Sequence, residues 1–341
     1  MMMYRLPQPA APRRTLPALY AMAALATLAT LGASFLACPS PAQAQDKYPS
    51  RPMTIIIPFG PGSSSDVGVR LMAGKMQPRF GQPILVETRP GAGATIGAAV
   101  TARAKPDGYT IMYGSTSSLA TAPGMVKNLT YDPINDFSGI TLIGEQFFAL
   151  LVRGEYKGMS FPQFLERMRK EPDKFPIGGQ SGSYQLLNNL MRDAAKLSHE
   201  WIPYPEAGRM MSDLWGGRLG GAMVPLNLGL PTLKGGQGHI MALSSTVRSP
   251  ILPDTPTMEE TLPGVNIGSW TGYFAPAKTP RPIITLLHAQ ITEVGKDPEI
   301  LKRNSEGGRP LFLTPEETDA YVKKEVPRWT KLLKDGGIEP Q

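Results

Sequence analysis

The chain has 341 residues, 41% of them hydrophobic and 18% charged, with 36 glycines and 35 prolines. That length accommodates one large domain or two ordinary ones, and the composition is that of a turn-rich globular protein without low-complexity tracts. A formal charge of +7 comes from 35 basic against 28 acidic residues; the excess is scattered, which excludes the clustered basic face of a nucleic-acid binder.

The N-terminal stretch reads as a targeting segment. Arg5, Arg13 and Arg14 flank the start of an apolar run over residues 16–36, and Ala42-Gln43-Ala44 offers a small-x-small cleavage site. This predicts a signal peptide over residues 1–44, cleaved near Ala44, and a periplasmic mature protein. A transmembrane anchor is the rival reading, since the run is long enough to span a bilayer. Cys38 after Phe35-Leu36-Ala37 leaves lipid attachment open, and Arg13-Arg14 leaves twin-arginine export open. Cleavage removes three of the 35 basic residues, leaving 32 against 28, and removes the single cysteine. Disulfide and thiol chemistry are thereby excluded from the mature chain.

Residues 54–57, Thr-Ile-Ile-Ile, predict a central parallel strand buried on both faces. Pro58 ends it, Gly60, Pro61 and Gly62 turn the chain, and Ser63 with Asp66 three residues later starts a helix running to about residue 78. Strand, glycine turn and helix N-terminus in succession leave unpaired N–H groups and the positive end of a helix dipole at one spot, which suits an anion. A merely well-capped βα unit accounts for the same residues.

Residues 83–88 predict a second strand, and Arg89-Pro90-Gly91-Ala92-Gly93 opens an alanine-rich helix to residue 105. The glycines resemble a dinucleotide fingerprint but follow the second strand, and Asp107 falls in a turn; close helix-to-sheet packing explains them more simply. A third strand over 110–113 ends in a second small polar loop, 114–118, at the same sheet edge. Residues 139–142 and 147–152 read as extended. From Ser160 the pattern restarts: a helix over 161–170, a strand over 175–177, the turn Gly178-Gly179-Gln180-Ser181-Gly182-Ser183, and a helix over 184–197. This repeats the first junction. A strand at 202–204, a helix at 208–215 and strands at 219–224 and 240–244 continue the alternation. After a proline-rich connector at 248–256 come an extended 272–274, helices at 283–295 and 298–304, a short 310–313 and a final helix over 315–333. Two α/β halves facing across a cleft are the expected outcome.

An enzyme needs an activated group, and the three histidines are poorly placed to supply one. His199 lies in a surface-like Ser-His-Glu turn, His239 follows Gly238, and His288 is inside an amphipathic helix. No spacing suggests a metal site, and no Gly-x-Ser-x-Gly elbow follows a strand. No catalytic residue, metal or cofactor is therefore expected, although a secreted hydrolase using another serine stays open.

Several motifs in order then resemble one family. They are Pro58-Phe59-Gly60-Pro61-Gly62-Ser63-Ser64-Ser65-Asp66, Arg89-Pro90-Gly91-Ala92-Gly93, Pro106-Asp107-Gly108-Tyr109-Thr110, Tyr131-Asp132-Pro133 with Asp136-Phe137, Asp213-Leu214-Trp215-Gly216-Gly217, and Arg248-Ser249-Pro250 with Leu252-Pro253-Asp254-Thr255-Pro256-Thr257. The set resembles the Bug family, periplasmic solute-binding receptors of tripartite tricarboxylate transporters. The resemblance implies an α/β, type II periplasmic binding fold of two lobes with a ligand cleft between them. Lobe one would comprise residues 45–146 and 247–341, and lobe two residues 147–246. It implies a monomer that captures a small organic acid and delivers it to membrane permease subunits, with no nucleic-acid partner; a receptor serving a signalling partner is the alternative. One carboxylate would be held by Phe59, Pro61, Gly62, Ser63, Ser64 and Asp66, and by Gln180, Ser181, Gly182 and Ser183 opposite. Ser117, Ala207 and Leu226 would line the rest. The sequence departs from the family pattern at Ser63, at Leu186, at Pro205-Glu206-Ala207 and over residues 220–226. Leu186 and Leu226 make the second half of the pocket less polar, which predicts a preference for monocarboxylates with an apolar body.

Overall fold

The computed structural model describes residues 48–180, 182–338 and 340. The expected signal peptide with Cys38 and Ala44, and the candidate contact Ser181, lie outside the described residues.

Lobe one begins with β1 (Met53–Ile57), α1 (Ser64–Phe80), β2 (Ile84–Thr88), α2 (Thr95–Ala102) and β3 (Thr110–Ser115). The β-branched run of β1 is buried except at Thr54, and β1 lies parallel between β2 and β3 as a central strand should. Gly97 shows why the second loop is glycine-rich: a Cβ there would sit 3.0 Å from Pro58 Cα and 3.2 Å from the Arg89 carbonyl. Close packing of α2 on the sheet requires its absence.

The two extended stretches expected at 139–142 and 147–152 are one 17-residue strand, β4 (Phe137–Arg153). The stretch between them continues the strand, and the partner changes just beyond it, between Phe147 and Phe148. Up to Phe147, β4 pairs with β9 (Gly268–Pro276), with two register slips between Gly139 and Gly144. From Phe148 it pairs with β7 (Gly221–Pro225), and from Ala149 with β8 (Gly238–Leu243). Alternate side chains then serve two cores. Phe148, Leu150 and Val152 join Phe161, Phe164 and Met168 of α3 (Phe161–Lys170), while Phe147, Ala149 and Leu151 join a second cluster around Leu214 and Ile240.

Lobe two adds β5 (Ile177–Gly179), α4 (Ser183–Ala194), β6 (Trp201–Pro203), α5 (Ala207–Trp215) and α6 (Leu226–Leu233). Gly178 and Gly179, expected in a turn, are strand residues; the ring of Trp201 and the side chains of Leu219 and Tyr204 fill the space a Cβ would take. The α6 helix was not foreseen, because Gly229 and Pro231 inside it disguise its period. His199 is buried, not on a surface turn, and pairs with Asn188 of α4. The chain returns to lobe one through β9, followed by α7 (Arg281–Gly295), α8 (Pro298–Gly307), β10 (Gly308–Pro310) and α9 (Pro315–Asp335).

Strand directions position the cleft. β3 is antiparallel to β9 and β9 to β4, so β1, β3 and β4 run the same way. β7 is antiparallel to β4, and β5 and β6 run with β7. The carboxyl ends of the parallel strands in both lobes therefore point into one gap. Ser115, ending β3, is level through Thr271 with Gly144, and Pro225, ending β7, is level with Phe148. Four residue steps along β4 separate the two edges, about 13 Å of extended chain.

Candidate ligand-binding cleft

The α1 N-terminus is built as an open helix end. Ser63 is the N-cap, its hydroxyl accepting from the Asp66 N–H at 3.2 Å. Asp66 reaches back one residue further than a capping box and accepts from the Gly62 N–H at 2.9 Å. Gly62 has φ of 75°, a left-handed conformation that glycine adopts at least cost. Arg70 donates to the other oxygen of the buried Asp66 at 2.8 Å and neutralises it. Asp66 thus occupies the Gly62 N–H and shapes the loop. The N–H groups of Ser64 and Ser65 make no hydrogen bond among the described residues, and these remain for an anion.

A cation stands beside this end although none lies in the loop. Arg303 of α8 donates from Nη2 to the Ser64 carbonyl at 2.7 Å and to the Ser64 hydroxyl at 3.0 Å. Gly68 leaves it room, for a Cβ there would be 3.3 Å from Arg303 Nε. Ser64, Ser65, Tyr113, Gln146, Arg303 and, from lobe two, Asn227 wall a cavity of about 150 Å³. Sequence reasoning missed Arg303 because 239 residues separate it from Ser64 and nothing in its own helix marks it.

The other expected contacts fall on the facing strand ends with differing exposure. Phe59 is half-buried and Pro61 exposed after β1. Ser117 is exposed in the turn after β3, which Ser115 and Ser118 hold by reciprocal hydrogen bonds. Gln180 is exposed after β5; Gly182 caps α4 with φ of 76° and no side-chain bond, and Ser183 is the first helical residue. The second junction thus lacks the serine cap of the first. Ala207 opens α5, half-buried. Leu226 opens α6, but its side chain is fully buried in the lobe-two core, and the next residue, Asn227, reaches the cavity. Leu186 is likewise fully buried, in the core that includes Trp329 and Leu333 of α9. The apolar cleft wall expected from Leu186 and Leu226 is not formed, because both leucines are consumed by helix packing.

Neither buried histidine chemistry nor a metal centre emerges nearby. His199 Nε2 lies 2.8 Å from Asn188 Oδ1, and His288 Nδ1 lies 3.1 Å from the Ile140 carbonyl. No group of three or more His, Cys, Asp or Glu residues among the described residues is arranged to hold a metal ion.

Two α/β lobes sharing one strand, with strand ends and helix N-termini converging on a gap, define a bilobal solute-binding protein of the type II periplasmic fold. The chain belongs to the tripartite tricarboxylate transporter family receptors, whose family model matches residues 69–338. It is 34% identical over 303 residues to a UPF0065 protein from the TAR-I ttuE-ttuC' intergenic region of Agrobacterium vitis, covering 87% of each chain. Among solved structures it is similar to the periplasmic binding protein BugD, at 32% identity and a TM-score of 0.66 over 86% of this chain and all of that one. It is also similar to MatC of Rhodopseudomonas palustris with bound malate, at 28% identity and a TM-score of 0.64 over 84% of this chain and all of that one. R. palustris Rpa4515 with adipate matches at 27% and 0.69, over 86% of this chain and all of that one. No helix among the described residues is long and apolar enough to cross a membrane.

Proposed function

We propose that this chain is exported, cleaved near Ala44, and acts in the periplasm as a monomeric receptor that closes over a small carboxylate and presents it to permease subunits of a tripartite transporter. It binds and releases its ligand without chemistry. The observation that carries this reading is the α1 N-terminus, where the free N–H groups of Ser64 and Ser65 and the helix dipole meet at the interlobe gap. Neighbours that hold malate and adipate support a carboxylate as the solute. Lobe one is assigned to residues 45–146 and 247–341, and lobe two to residues 147–246. The expected contacts Phe59, Gly62, Ser63, Ser117, Gln180, Gly182, Ser183 and Ala207 are proposed to surround the solute from both edges.

Isothermal titration of the mature protein with malate and adipate tests the reading, together with mass spectrometry of the ligand after release. Saturable binding with the acid returned unchanged is expected. No binding of any small carboxylate, or recovery of a converted product, overturns it.

A further inference from the structure

The cavity beside α1 is lined by two carboxylates, Glu145 and Glu306, and by one cation, Arg303; Asp66 lies next to it, behind Ser65 in α1. Asp66 is paired with Arg70 at 2.8 Å and Glu145 with Arg309 at 2.6 Å. Glu306 is exposed and makes no ion pair among the described residues. Arg303 also has no carboxylate partner there; its bonds go through Nη2 to the neutral carbonyl and hydroxyl of Ser64. A guanidinium carries five donors in a planar fork suited to a carboxylate, so Nη1 of Arg303 remains to be used. Tyr273, a fully buried residue of the cavity wall, has a hydroxyl with no hydrogen-bond partner among the described residues.

The dimensions and the walls fit part of a solute. About 150 Å³ is the share of roughly five water molecules, room for a carboxylate-bearing end. Asn227 comes from lobe two, and α8 packs against both α1 and α6, so the space is completed by both lobes.

We propose that Arg303 is a specificity-determining contact that pairs with the second anionic group of a solute whose first carboxylate sits at the α1 N-terminus. This rests on the carboxylate reading above and adds the residue that distinguishes a dianion from a monoanion. It also replaces the expectation of an apolar monocarboxylate, which depended on Leu186 and Leu226 facing the solute.

Calorimetry on the parent, Arg303→Gln and Arg303→Lys with adipate and hexanoate separates this from a purely structural role. The two acids share a six-carbon chain and differ by one carboxylate. Losing charge-assisted hydrogen bonds to one carboxylate weakens adipate by about 10- to 100-fold in Arg303→Gln, weakens hexanoate far less, since only the Ser64 contact is lost there, and is partly restored in Arg303→Lys. Thermal melts of the free variants confirm that they fold. Equal weakening of both acids means that Arg303 only holds Ser64 in place, and overturns the proposal; so does undiminished adipate binding. A parent that binds neither these acids nor malate sinks the carboxylate reading along with it, whereas a parent that binds malate but not adipate, or binds adipate with an indifferent Arg303→Gln, sinks the assignment of Arg303 alone.

Discussion

His199 is a neutral histidine by construction. Its burial, aided by the nearby Arg192 charge, pushes the imidazole down to about 4, and Nδ1 has no hydrogen-bond partner among the described residues. The unfolded chain takes up this proton near pH 6.5, before the folded chain can. The stability contributed by a neutral His199 is therefore complete above pH 6.5 and is lost progressively as the pH falls to 4, by about 3 kcal/mol. Urea denaturation of the parent and His199→Gln across that interval checks this: the parent's advantage should shrink on acidification, and a constant difference would count against it. At the helix start, Ser63→Ala removes the cap bond to Asp66 and is expected to lower stability by about 1 kcal/mol. Gly62→Val meets no steric neighbour, but forces a β-branched residue to a φ of 75°. Its damage should fall on the binding loop, seen as lost affinity for malate and adipate with little change in unfolding midpoint. A large fall in midpoint with intact binding would reverse that assignment.

Elements differed in how far their residues announced them. The helices α3 and α5 were legible because apolar residues recur at helical spacing between a clear start and a glycine or charged end. The β1–α1 junction was legible because proline, glycine and serine each fix a local conformation. β4 was read as two strands because partner exchange at Phe147 and Phe148 depends on residues more than 70 positions away, which no local pattern records. Arg303 and Asn227 stayed hidden for the same reason, and Leu186 misled because a leucine near a cleft and a leucine beneath it look alike in sequence. β10 shows how narrow such long-range fits are: a Cβ on Gly308 would overlap the Glu145 carbonyl, next to the Arg309–Glu145 pair. Gly308→Ala should therefore break the β10–β4 pairing and lower the melting temperature. Because this pairing flanks the cavity, it should also weaken adipate binding. An alanine variant as stable as the parent would show that β10 is dispensable.

Across the whole molecule, the proposed lobe boundaries put the two chain crossings close together. Ser244 donates its N–H to the Phe148 carbonyl at 2.8 Å, accepts from the Phe148 N–H at 3.1 Å and donates to the Ile267 carbonyl at 2.5 Å. Closure by rotation about these crossings is expected, and small-angle scattering should register a smaller radius of gyration with adipate present. An unchanged radius in a saturated sample would argue for a preformed pocket. The shared strand has a further consequence for how the protein comes apart. Each lobe takes its sheet partner from β4, and Pro49–Gln341 holds as one compact unit, so neither half carries a finished sheet of its own. A scanning calorimeter should record a single endotherm in place of one for each lobe, and a receptor that hinges like two bodies should melt as one.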